Sequence, residues 1–305
     1  MIKIDHIKYK SGIDTSKEFI EKAKTQGLKI LYNTPVYFGH NINLWCKWFN
    51  KLEITNITIT TKIQEINEND LCLMIAFMGI CPAKHYISIQ TENLISLGDN
   101  AYISSIENMR NAVATWDYST TNIDFLIKRY NIQNIIPIPI MFSDNTLLFT
   151  DPNVFNNLNN FSNRNFDIIV PLLTPRRINL ANVLVNLQLK CSCIWRTDFA
   201  SLLQNYKVFL NLHAYNSESA LEIHRLFDMR NIPIVIISEI SNDIDHQTML
   251  DKIIYAKIED IPALCYKICS DDVLWNKIMI DQQEMWKKFP DDILNDALNL
   301  SLFEK

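Results

Sequence analysis

Short apolar runs alternate with segments of helical spacing along most of the chain. Runs such as Leu71–Phe77 and Phe166–Leu172 have the length of a buried strand, and the segments between runs repeat apolar residues with the period of an amphipathic helix. This alternation is typical of parallel βαβ units, so it predicts an α/β protein. The predicted strands are Lys29–Tyr32, Ile54–Thr60, Leu71–Phe77, Tyr86–Ile89, Ala112–Thr115, Ile135–Ile138, Phe166–Leu172, Cys191–Trp195, Val208–His213 and Ile234–Ser238, with a weaker unit through Ile253–Ile258.

The predicted helices fill the intervals between these strands. Ser119 or Thr120 is a suitable N-cap for the helix that follows it, because a hydroxyl oxygen can accept a free N–H of the first turn. The predicted helices are Thr15–Thr25, Asn43–Leu52, Thr121–Tyr130, Pro175–Leu189, Asp198–Tyr206, Ser217–Arg230, Ile261–Cys269 and Asp272–Lys288, with a last segment over Asp291–Phe303.

An Asn-rich stretch divides this pattern in two. Residues 143–165 are rich in turn formers and show little periodicity. A chain of 305 residues is also long for one core, and two α/β domains of about 150 residues each are the natural expectation. We therefore predict an N-terminal domain over 1–142, a linker over 143–165, a C-terminal domain over 166–275 and C-terminal helices over 276–305.

Composition and charge narrow the possible partners. The net charge of −5 argues against wholesale wrapping of nucleic acid and against adhesion to an anionic membrane. The charged N-terminal segment has the pattern of neither a signal nor a membrane anchor. Seven cysteines, an odd number, argue against a disulfide framework. We expect a cytoplasmic protein with reduced thiols, no transmembrane segment and no nucleic-acid partner.

Cysteine spacing and the scarcity of glycine bear on cofactors. Cys191 and Cys193 have strand spacing, and Cys265 and Cys269 have helical spacing, so neither pair matches the spacing of zinc sites. Buried thiols explain both pairs. With 5 glycines, the chain has no GxGxxG and no GxxxxGK[ST], which excludes a standard dinucleotide fold and a P-loop NTPase. We expect neither a metal nor a bound cofactor.

Two arginines follow the first strand of the predicted C-terminal domain. In an open parallel sheet, ligands bind beyond the carboxyl ends of the strands. Thr174 is a good N-cap and Pro175 a good first helical residue, which puts Arg176 and Arg177 in the first turn. Cations there oppose the helix dipole at a cost of a few tenths to about 1 kcal/mol each, and a bound anion would offset that cost. Alternatively, both guanidinium groups reach solvent or pair with nearby carboxylates.

Two further strand-to-helix corners carry similar side chains. Arg196 is a candidate for binding phosphates and Trp195 for packing on a base, although a core position also explains the tryptophan. At the next corner, a helix capped by Asn216 or Ser217 would offer free N–H groups to a diphosphate. The candidate ligand-binding residues of the three corners are Arg176, Arg177, Trp195, Arg196, His213, Tyr215, Asn216, Ser217, Glu218, Glu222 and Arg225.

The predicted helix Ser217–Arg230 has a polar stripe. Glu218, Glu222 and Arg225 lie at i, i+4 and i+7 and therefore share one face. Carboxylates at a ligand-facing helix start can hold the hydroxyl groups of a sugar or ribose. The alternative is a solvated face stabilised by pairing between Glu222 and Arg225.

The last corner and its surroundings resemble a known family. Residues 211–239, NLHAYNSESALEIHRLFDMRNIPIVIISE, are similar to the donor-binding segment of GT-B glycosyltransferases, where a strand, a short loop, a glutamate-bearing helix and a G-x-P-V-I-type strand follow one another. Other segments agree in order: YISIQTENL, VATWDYSTTNIDFL, IIPIPIMFSD, DIIVPLLTPRR and DDVLWNKIMIDQQEMWKKF. The resemblance covers most of residues 28–290. It implies an α/β protein of two Rossmann-like domains, in the GT-B architecture, with a C-terminal helix packing back on the first domain.

The resemblance also implies an activity. GT-B enzymes resemble one another in using helix dipoles and basic side chains to stabilise the leaving diphosphate, which implies that role for Arg176, Arg177 and Arg196. We expect metal-independent transfer of a sugar from a nucleoside-diphosphate sugar to a hydroxyl of a glycan, protein or small molecule. We also expect Arg176→Ala and Arg196→Ala to weaken donor binding with little loss of stability. The sequence Asp243-x-Asp245 follows a strand by several residues and is interpreted as a surface turn.

The chain departs from the family pattern in two places. Many retaining members carry two glutamates eight positions apart; counted back from Pro233, those positions are Glu218 and Leu226, and Asn231 replaces the usual glycine. Glu222 would then bind the ribose one turn earlier. Two alternatives stay open, a sugar-nucleotide epimerase of the same fold and a catalytically silent protein that binds nucleotide sugars or serves as a scaffold.

Candidates for the catalytic base lie in the first domain. His40 precedes the predicted helix Asn43–Leu52 in a segment that resembles a cleft-facing loop of GT-B enzymes, although capping or solvation also explains a histidine there. Glu92 and Asp117 each follow a predicted strand and are rival bases. Asp117 ranks below Glu92, because the turn D-Y-S-T-T-N is explained by an Asx or capping motif.

Overall fold

The structure is a computed structural model that describes residues 5, 7–32, 35–75, 79–91, 103–138, 160–194, 203, 205–214, 220–227, 229–230 and 232–289. For residues 35–41, 103–104 and 224 it describes the backbone alone. The chain divides into two compact units, whose described residues lie within Met1–Ser143 and Asp144–Pro290.

The first unit is built on a parallel sheet. Its described strands follow the order β2-β1-β3-β4-β5-β6. All five residues of β3 are buried, as expected for a strand covered on both faces. In chain order the elements are α1 Lys10–Gln26, β1 Leu28–Tyr32, α2 Pro35–Lys51, β2 Ile57–Thr60, β3 Leu71–Ile75, β4 His85–Gln90, α3 Ile103–Asn111, β5 Ala114–Asp117, α4 Thr120–Tyr130 and β6 Ile135–Pro137.

Helix α1 packs closely on this sheet through Gly12. A Cβ atom at Gly12 would lie 2.6 Å from Cγ2 of Ile136 on β6, so only glycine permits this approach. On the same helix, Ser16 Oγ accepts a hydrogen bond from Nε1 of Trp116 on β5 at 2.9 Å. Trp116 stacks on Trp45 of α2 with ring centroids 5.6 Å apart. Aromatic rings therefore pack together where α1 and α2 meet the sheet, within a core that is mostly aliphatic.

The second unit has a parallel sheet in the order β11-β10-β9-β7-β8. The chain passes from β7 to β8 on one side and then to β9, β10 and β11 on the other, so the strand order reverses between β7 and β9. Such a reversal opens a crevice at the carboxyl ends of the strands, where open α/β sheets bind ligands. The elements are β7 Phe166–Pro171, α5 Pro175–Asn186, β8 Cys191–Ile194, β9 Tyr206–Asn211, α6 Ile223–Phe227, β10 Val235–Glu239, α7 Ile244–Met249, β11 Ile254–Ala256, α8 Ile261–Cys269 and α9 Asp272–Trp286.

Two polar side chains fix helix α9 on the second sheet. Trp275 donates from Nε1 to the carbonyl of Lys207 at 2.8 Å. The buried amide of Gln282 bonds both the N–H and the C=O of Ile236, each at 2.8 Å. Helix α9 thus packs on β10 of the second unit as far as its last turn. The sequence predicts that the C-terminal helices over 276–305 return to the first domain, but over residues 276–286 helix α9 packs on the second unit. Residues from 290 onward lie outside the described residues.

Helix boundaries account for the main differences from the sequence predictions. Helix α2 begins at Pro35 rather than at Asn43, because proline is favourable at the first helical position. The predicted helix Ser217–Arg230 is helical only over Ile223–Phe227 within the described residues, for a reason given by the site below. Helices α3 and α7 were not predicted. The prediction for Asp198–Tyr206 falls mostly on undescribed residues, although Tyr206 itself begins β9.

No helix in the described part of the chain combines the length and the apolar character needed to cross a bilayer.

Candidate functional site

Charged side chains converge beyond the carboxyl ends of β7, β9 and β10, at the strand reversal of the second sheet. The first turn of α5, the residues after β9, the segment before α6 and the end of β10 all contribute. We call this set the polar cluster; its members are Arg176, Arg177, His213, Glu222, Arg225 and Glu239.

Arg176 and Glu239 form a two-pronged ion pair within the cluster. Nη1 of Arg176 lies 2.6 Å from Oε2 of Glu239, and Nη2 bonds Oε1. The side chain of Glu239 is 2% exposed and that of Arg176 is 21% exposed, so the carboxylate is buried and the guanidinium lies at the rim. This pairing argues against the expectation that Arg176→Ala leaves stability unchanged, because the substitution would strand a buried carboxylate.

Arg177 is buried, and its guanidinium bonds backbone carbonyls. Nε lies 3.1 Å from the carbonyl oxygen of Leu212, which Nη2 also bonds, and Nη1 lies 3.4 Å from that of Leu172. The hydroxyl of Thr174 accepts the N–H of Arg177 at 3.4 Å, which confirms the predicted N-cap. Burial lowers the pKa of Arg177 to about 10, so the group stays charged at neutral pH. Arg177 therefore holds the loops after β7 and β9 in place.

Arg225 lies half-buried on α6 and binds the end of β9. Its Nη1 is 2.9 Å from Oδ1 of Asn211 and 3.4 Å from the carbonyl oxygen of Leu212. Asn211 is oriented in turn by its Nδ2, which donates to Oγ of Ser238 on β10 at 3.0 Å. The carbonyl of Leu212 thus accepts from two arginines, and that of the next residue, His213, accepts from Arg176 at 3.2 Å.

His213 and Glu222 form a buried pair. Nδ1 of His213 lies 3.0 Å from Oε2 of Glu222, and Nε2 lies 3.0 Å from the carbonyl oxygen of Ile240. The backbone N–H of His213 also donates to Glu239 at 3.2 Å. The side chains are 1% exposed for His213 and 10% exposed for Glu222. The solvated stripe envisaged for Glu222 is therefore wrong: this carboxylate is buried against a histidine.

The ionisation of this pair follows from its neighbours. Burial acts to raise the pKa of Glu222, but the charges of His213, Arg225 and Arg177 outweigh burial and lower that pKa to about 2. Burial acts to lower the pKa of His213, but Glu222, Glu239 and the carbonyl of Ile240 raise it above its ordinary value. Both shifts favour the charged forms, an imidazolium facing a carboxylate.

Asp243 fixes the backbone beside Glu222. It is 1% exposed, and its Oδ2 accepts the N–H of Leu221 at 2.7 Å. The interpretation of Asp243 as part of a surface turn is therefore wrong. Because Leu221 donates to Asp243 and Glu222 binds His213, residues 220–222 are not helical, and helix α6 begins only at Ile223.

The structure brings together Arg176, Arg177, His213, Glu222 and Arg225 among the predicted ligand-binding residues. The following predicted site residues lie outside the described residues: Glu92, Trp195, Arg196, Tyr215, Asn216, Ser217 and Glu218. His40 is described by its backbone alone, which lies within α2 and not in a loop.

Asp117 lies at the carboxyl end of β5 in the first unit. It is 1% exposed, and its Oδ1 accepts the N–H of Ser119 at 2.8 Å. Ser119 Oγ in turn accepts the N–H of Asn122 at 3.1 Å and caps α4. The predicted Asx and capping motif is thus confirmed.

Glu239 and Asp243 are site residues that the sequence interpretation missed. Glu239 ends a buried strand that begins with three apolar residues, and an acidic residue at the carboxyl end of a buried parallel strand is a usable signal. Asp243 offers no comparable signal, since acidic residues in loops after strands are common.

Possible metal ligands and cysteine thiols also occur among the described residues. Within the described ranges, no group of three or more His, Cys, Asp or Glu side chains is arranged to hold a metal ion. All seven cysteines are described and are free thiols. Burial raises the pKa of Cys191 and of Cys269 to about 12, so these thiols are unreactive.

Comparison with known proteins identifies the fold. No protein-family model and no curated protein sequence matches the chain. Among solved structures, the chain is similar to BGT, the β-glucosyltransferase of phage T4, in complex with UDP and Mn²⁺, with a TM-score of 0.57 and 12% identity over 90% of this chain and 99% of that chain. It is also similar to an α-glucosyltransferase in complex with UDP and a 13-mer DNA containing an HMU base, with a TM-score of 0.52 and 9% identity over 91% of this chain and 99% of that one.

A third similar structure is a TarM variant from S. aureus in complex with UDP, Fondaparinux and α-GlcNAc-glycerol. Its TM-score is 0.50 at 11% identity, and the match covers 78% of this chain and 56% of that one. At such identities the likeness concerns the fold. With its two parallel α/β sheets, one in each unit, the chain has the GT-B fold, and it is a divergent example of it.

Proposed function

We propose that this protein is a glycosyltransferase that moves a sugar from a nucleoside-diphosphate sugar to a hydroxyl group of an acceptor. The observation that carries the proposal is the polar cluster, which lies at the strand reversal of the second sheet. The three similar structures described above contain UDP, which supports a uridine nucleotide as the first donor to test.

The charge of the cluster suits a diphosphate. Three arginines and the protonated ring of His213 face the carboxylates of Glu222 and Glu239, with Asp243 beside them. Four positive groups against three negative ones leave a net positive charge after internal pairing. In a partly buried site this charge attracts an anion more strongly than it would in water.

We assign the contacts with the donor to three side chains that retain exposed surface. Arg176 and Arg225 are half-buried and would bind the phosphates. Glu222 uses Oε2 for His213, and within the described residues no hydrogen bond reaches its Oε1, which would accept a ribose hydroxyl. Arg177 acts through the loops that it holds. The remaining donor-site candidates by sequence position are Trp195, Arg196, Tyr215, Asn216, Ser217 and Glu218.

We place the acceptor, and the catalytic base that deprotonates it, in the first unit, where the side chains of Glu92 and His40 are not described. We propose Glu92 or His40 as the base, with Asp117 ranked lower because its Oδ1 already accepts a backbone N–H. The proposed acceptor is a glycan, a protein or a small molecule. One similar structure contains DNA, so a DNA carrying a hydroxymethylated base belongs in the acceptor panel as a competing outcome. The free thiols favour a reducing compartment, and we propose that the protein is cytoplasmic.

We further propose that the reaction needs no metal, because arginines supply the positive charge that the leaving diphosphate requires. One similar structure contains Mn²⁺ with UDP, so the test compares turnover in EDTA with turnover in added Mn²⁺. An unchanged rate in EDTA supports the proposal. Loss of turnover in EDTA that added Mn²⁺ restores would refute it.

The central experiment measures donor binding and turnover separately. Thermal shifts are recorded with UDP, GDP and CMP and with their sugars, followed by donor hydrolysis. A saturating donor should raise the melting temperature by about 5–10 °C. Glu222→Gln should weaken binding about tenfold, as expected for one charged hydrogen bond. Lys257→Ala, on the exposed surface of the same unit, is the matched control.

Each outcome separates the candidate functions. Stabilisation followed by sugar transfer or hydrolysis supports the glycosyltransferase. Stabilisation without turnover favours a catalytically silent protein that binds nucleotide sugars. If no nucleotide stabilises the wild type, the polar cluster is not a donor site.

A further inference from the structure

We infer that His213 is a positioning residue that holds the carboxylate of Glu222 for the donor only while the imidazole is protonated, so that proton uptake at His213 sets donor affinity. This inference rests on the proposed function and concerns how the same site is regulated.

The geometry around the ring demands two donated hydrogen bonds. Nδ1 lies 3.0 Å from a carboxylate oxygen of Glu222, and Nε2 lies 3.0 Å from the carbonyl oxygen of Ile240. A carboxylate and a carbonyl can only accept. A neutral imidazole carries one N–H and can satisfy one of these acceptors, whereas the imidazolium satisfies both.

The ring has little freedom to escape this choice. Its side chain is 1% exposed, and the backbone of His213 is held on both sides, with the N–H donating to Glu239 and the carbonyl accepting from Arg176. Loss of the proton therefore sets an imidazole lone pair against either Glu222 or the carbonyl of Ile240. In the first case Glu222 loses its hydrogen bond. In the second case it keeps that bond, but it faces a neutral ring, and the lone pair on Nε2 repels the carbonyl of Ile240 and displaces the ring together with Glu222.

Charged groups from the neighbouring elements act on the protonation equilibrium of His213. Glu222 before α6 and Glu239 at the end of β10 face the ring or its backbone and favour the imidazolium. Arg176 and Arg177 from α5, and Arg225 from α6, bind the carbonyls of His213 and Leu212 and oppose it. The carboxylates lie nearer, since one of them bonds the ring directly. Among the described residues, these are the charged groups that the hydrogen bonds place around His213.

This arrangement separates His213 from the residues that contact the donor. Both ring nitrogens are already used and the side chain is inaccessible, so the imidazole acts through Glu222 and does not touch the nucleotide. Protonation is coupled to binding because Glu222 is the shared partner. By linkage, a nucleotide that requires the aligned carboxylate must also favour protonation of His213.

The test measures the dissociation constant of UDP by calorimetry from about pH 5.5 to about pH 9, the range over which a histidine with a raised pKa changes charge. Wild-type protein should bind UDP about tenfold more weakly at the alkaline end. His213→Asn keeps an N–H near the position of Nδ1 but cannot titrate, so its affinity should show only the ionisation of UDP itself. His213→Phe should bind weakly at all pH values, and circular dichroism checks that it folds.

A nuclear magnetic resonance titration reads His213 without any nucleotide. The ring resonances, identified by their loss in His213→Asn, should show an imidazolium at neutral pH. Coinciding pH profiles of the wild type and His213→Asn would overturn the inference, and so would a neutral ring at pH 7. If the wild type binds neither UDP nor any other nucleotide of the donor panel at any pH, the proposed donor site fails instead, and the resonance titration still reports the state of His213.

Discussion

The ion pair between Arg176 and Glu239 offers a direct test of how the polar cluster is held together. Replacing Arg176 with methionine keeps most of the apolar stem but removes both bonds to the carboxylate. Glu239 would keep the N–H of His213 as a donor at 3.2 Å. Because the Glu239 side chain is 2% exposed, water cannot replace the lost guanidinium.

The size of the effect follows from the burial of the carboxylate. Breaking a buried ion pair from one side costs roughly 3–5 kcal/mol, and the 21% exposure of Arg176 places this pair at the lower end, near 3 kcal/mol. For a unit of this size, each kcal/mol lowers the melting temperature by about 2–4 °C, so Arg176→Met should melt about 6–12 °C below the wild type. Removing both charges in Arg176→Met/Glu239→Leu should restore much of that loss, because no buried charge is then unpaired.

Urea unfolding and calorimetry of the single and double variants measure the coupling between the two side chains. Lys287→Ala is the matched control, since Lys287 pairs with Glu284 on the surface of α9, where both side chains are more than half exposed. That control should change stability by less than about 1 kcal/mol. An Arg176→Met variant as stable as Lys287→Ala would refute the argument and would show that the ion pair with Glu239 does not stabilise the fold.

Three further predictions test the packing and the electrostatics. Gly12→Ala should destabilise the first unit by about 1–3 kcal/mol in urea unfolding, because its Cβ would press on Ile136, and it should cost less in an Ile136→Ala background, from which that methyl group is absent. Gln282→Leu should cost about 2–4 kcal/mol and speed amide exchange at Ile236, whose N–H and C=O would both lose a partner; unchanged exchange would contradict this. Because the folded pKa of Glu222 is lowered to about 2, its contribution to stability is complete above its ordinary pKa near 4.5 and is lost as pH falls towards 2; thermal melts of Glu222→Gln should lack that component of the acid dependence.

The strands and the helix caps follow from local chemistry, which explains why the sequence predicts them well. Apolar runs such as the one that forms β3 are buried on both faces and require no distant partner to be recognised. Thr174 and Ser119 cap their helices through N–H groups only three residues away. The proline after Thr174 fixes the start of α5, and with it the place of Arg176 beyond the end of β7.

The partners of the charged residues depend on contacts between distant parts of the chain. Arg176 is 63 residues from Glu239, and Arg177 bonds a carbonyl 35 residues away. The sequence shows that two cations lie at a helix start. It cannot show that Arg176 pairs with a buried carboxylate, or that Arg177 bonds the backbone of two loops. The sequence therefore predicts the location of the cluster but not which arginine remains accessible to a ligand.

The failed helix prediction before Ile223 and the burial of Glu222 have one physical cause. Apolar residues in this segment repeat with helical period, yet the N–H of Leu221 donates to Asp243 at 2.7 Å. That bond from a distant loop takes the place of a helical hydrogen bond, and the carboxylate of Glu222 turns towards His213 rather than to solvent. A continuous helix would have put Glu222 on a solvated stripe with no imidazole partner. The local departure from helical structure is thus what creates the buried pair on which the proposed donor site depends, and tertiary contacts override helix propensity here.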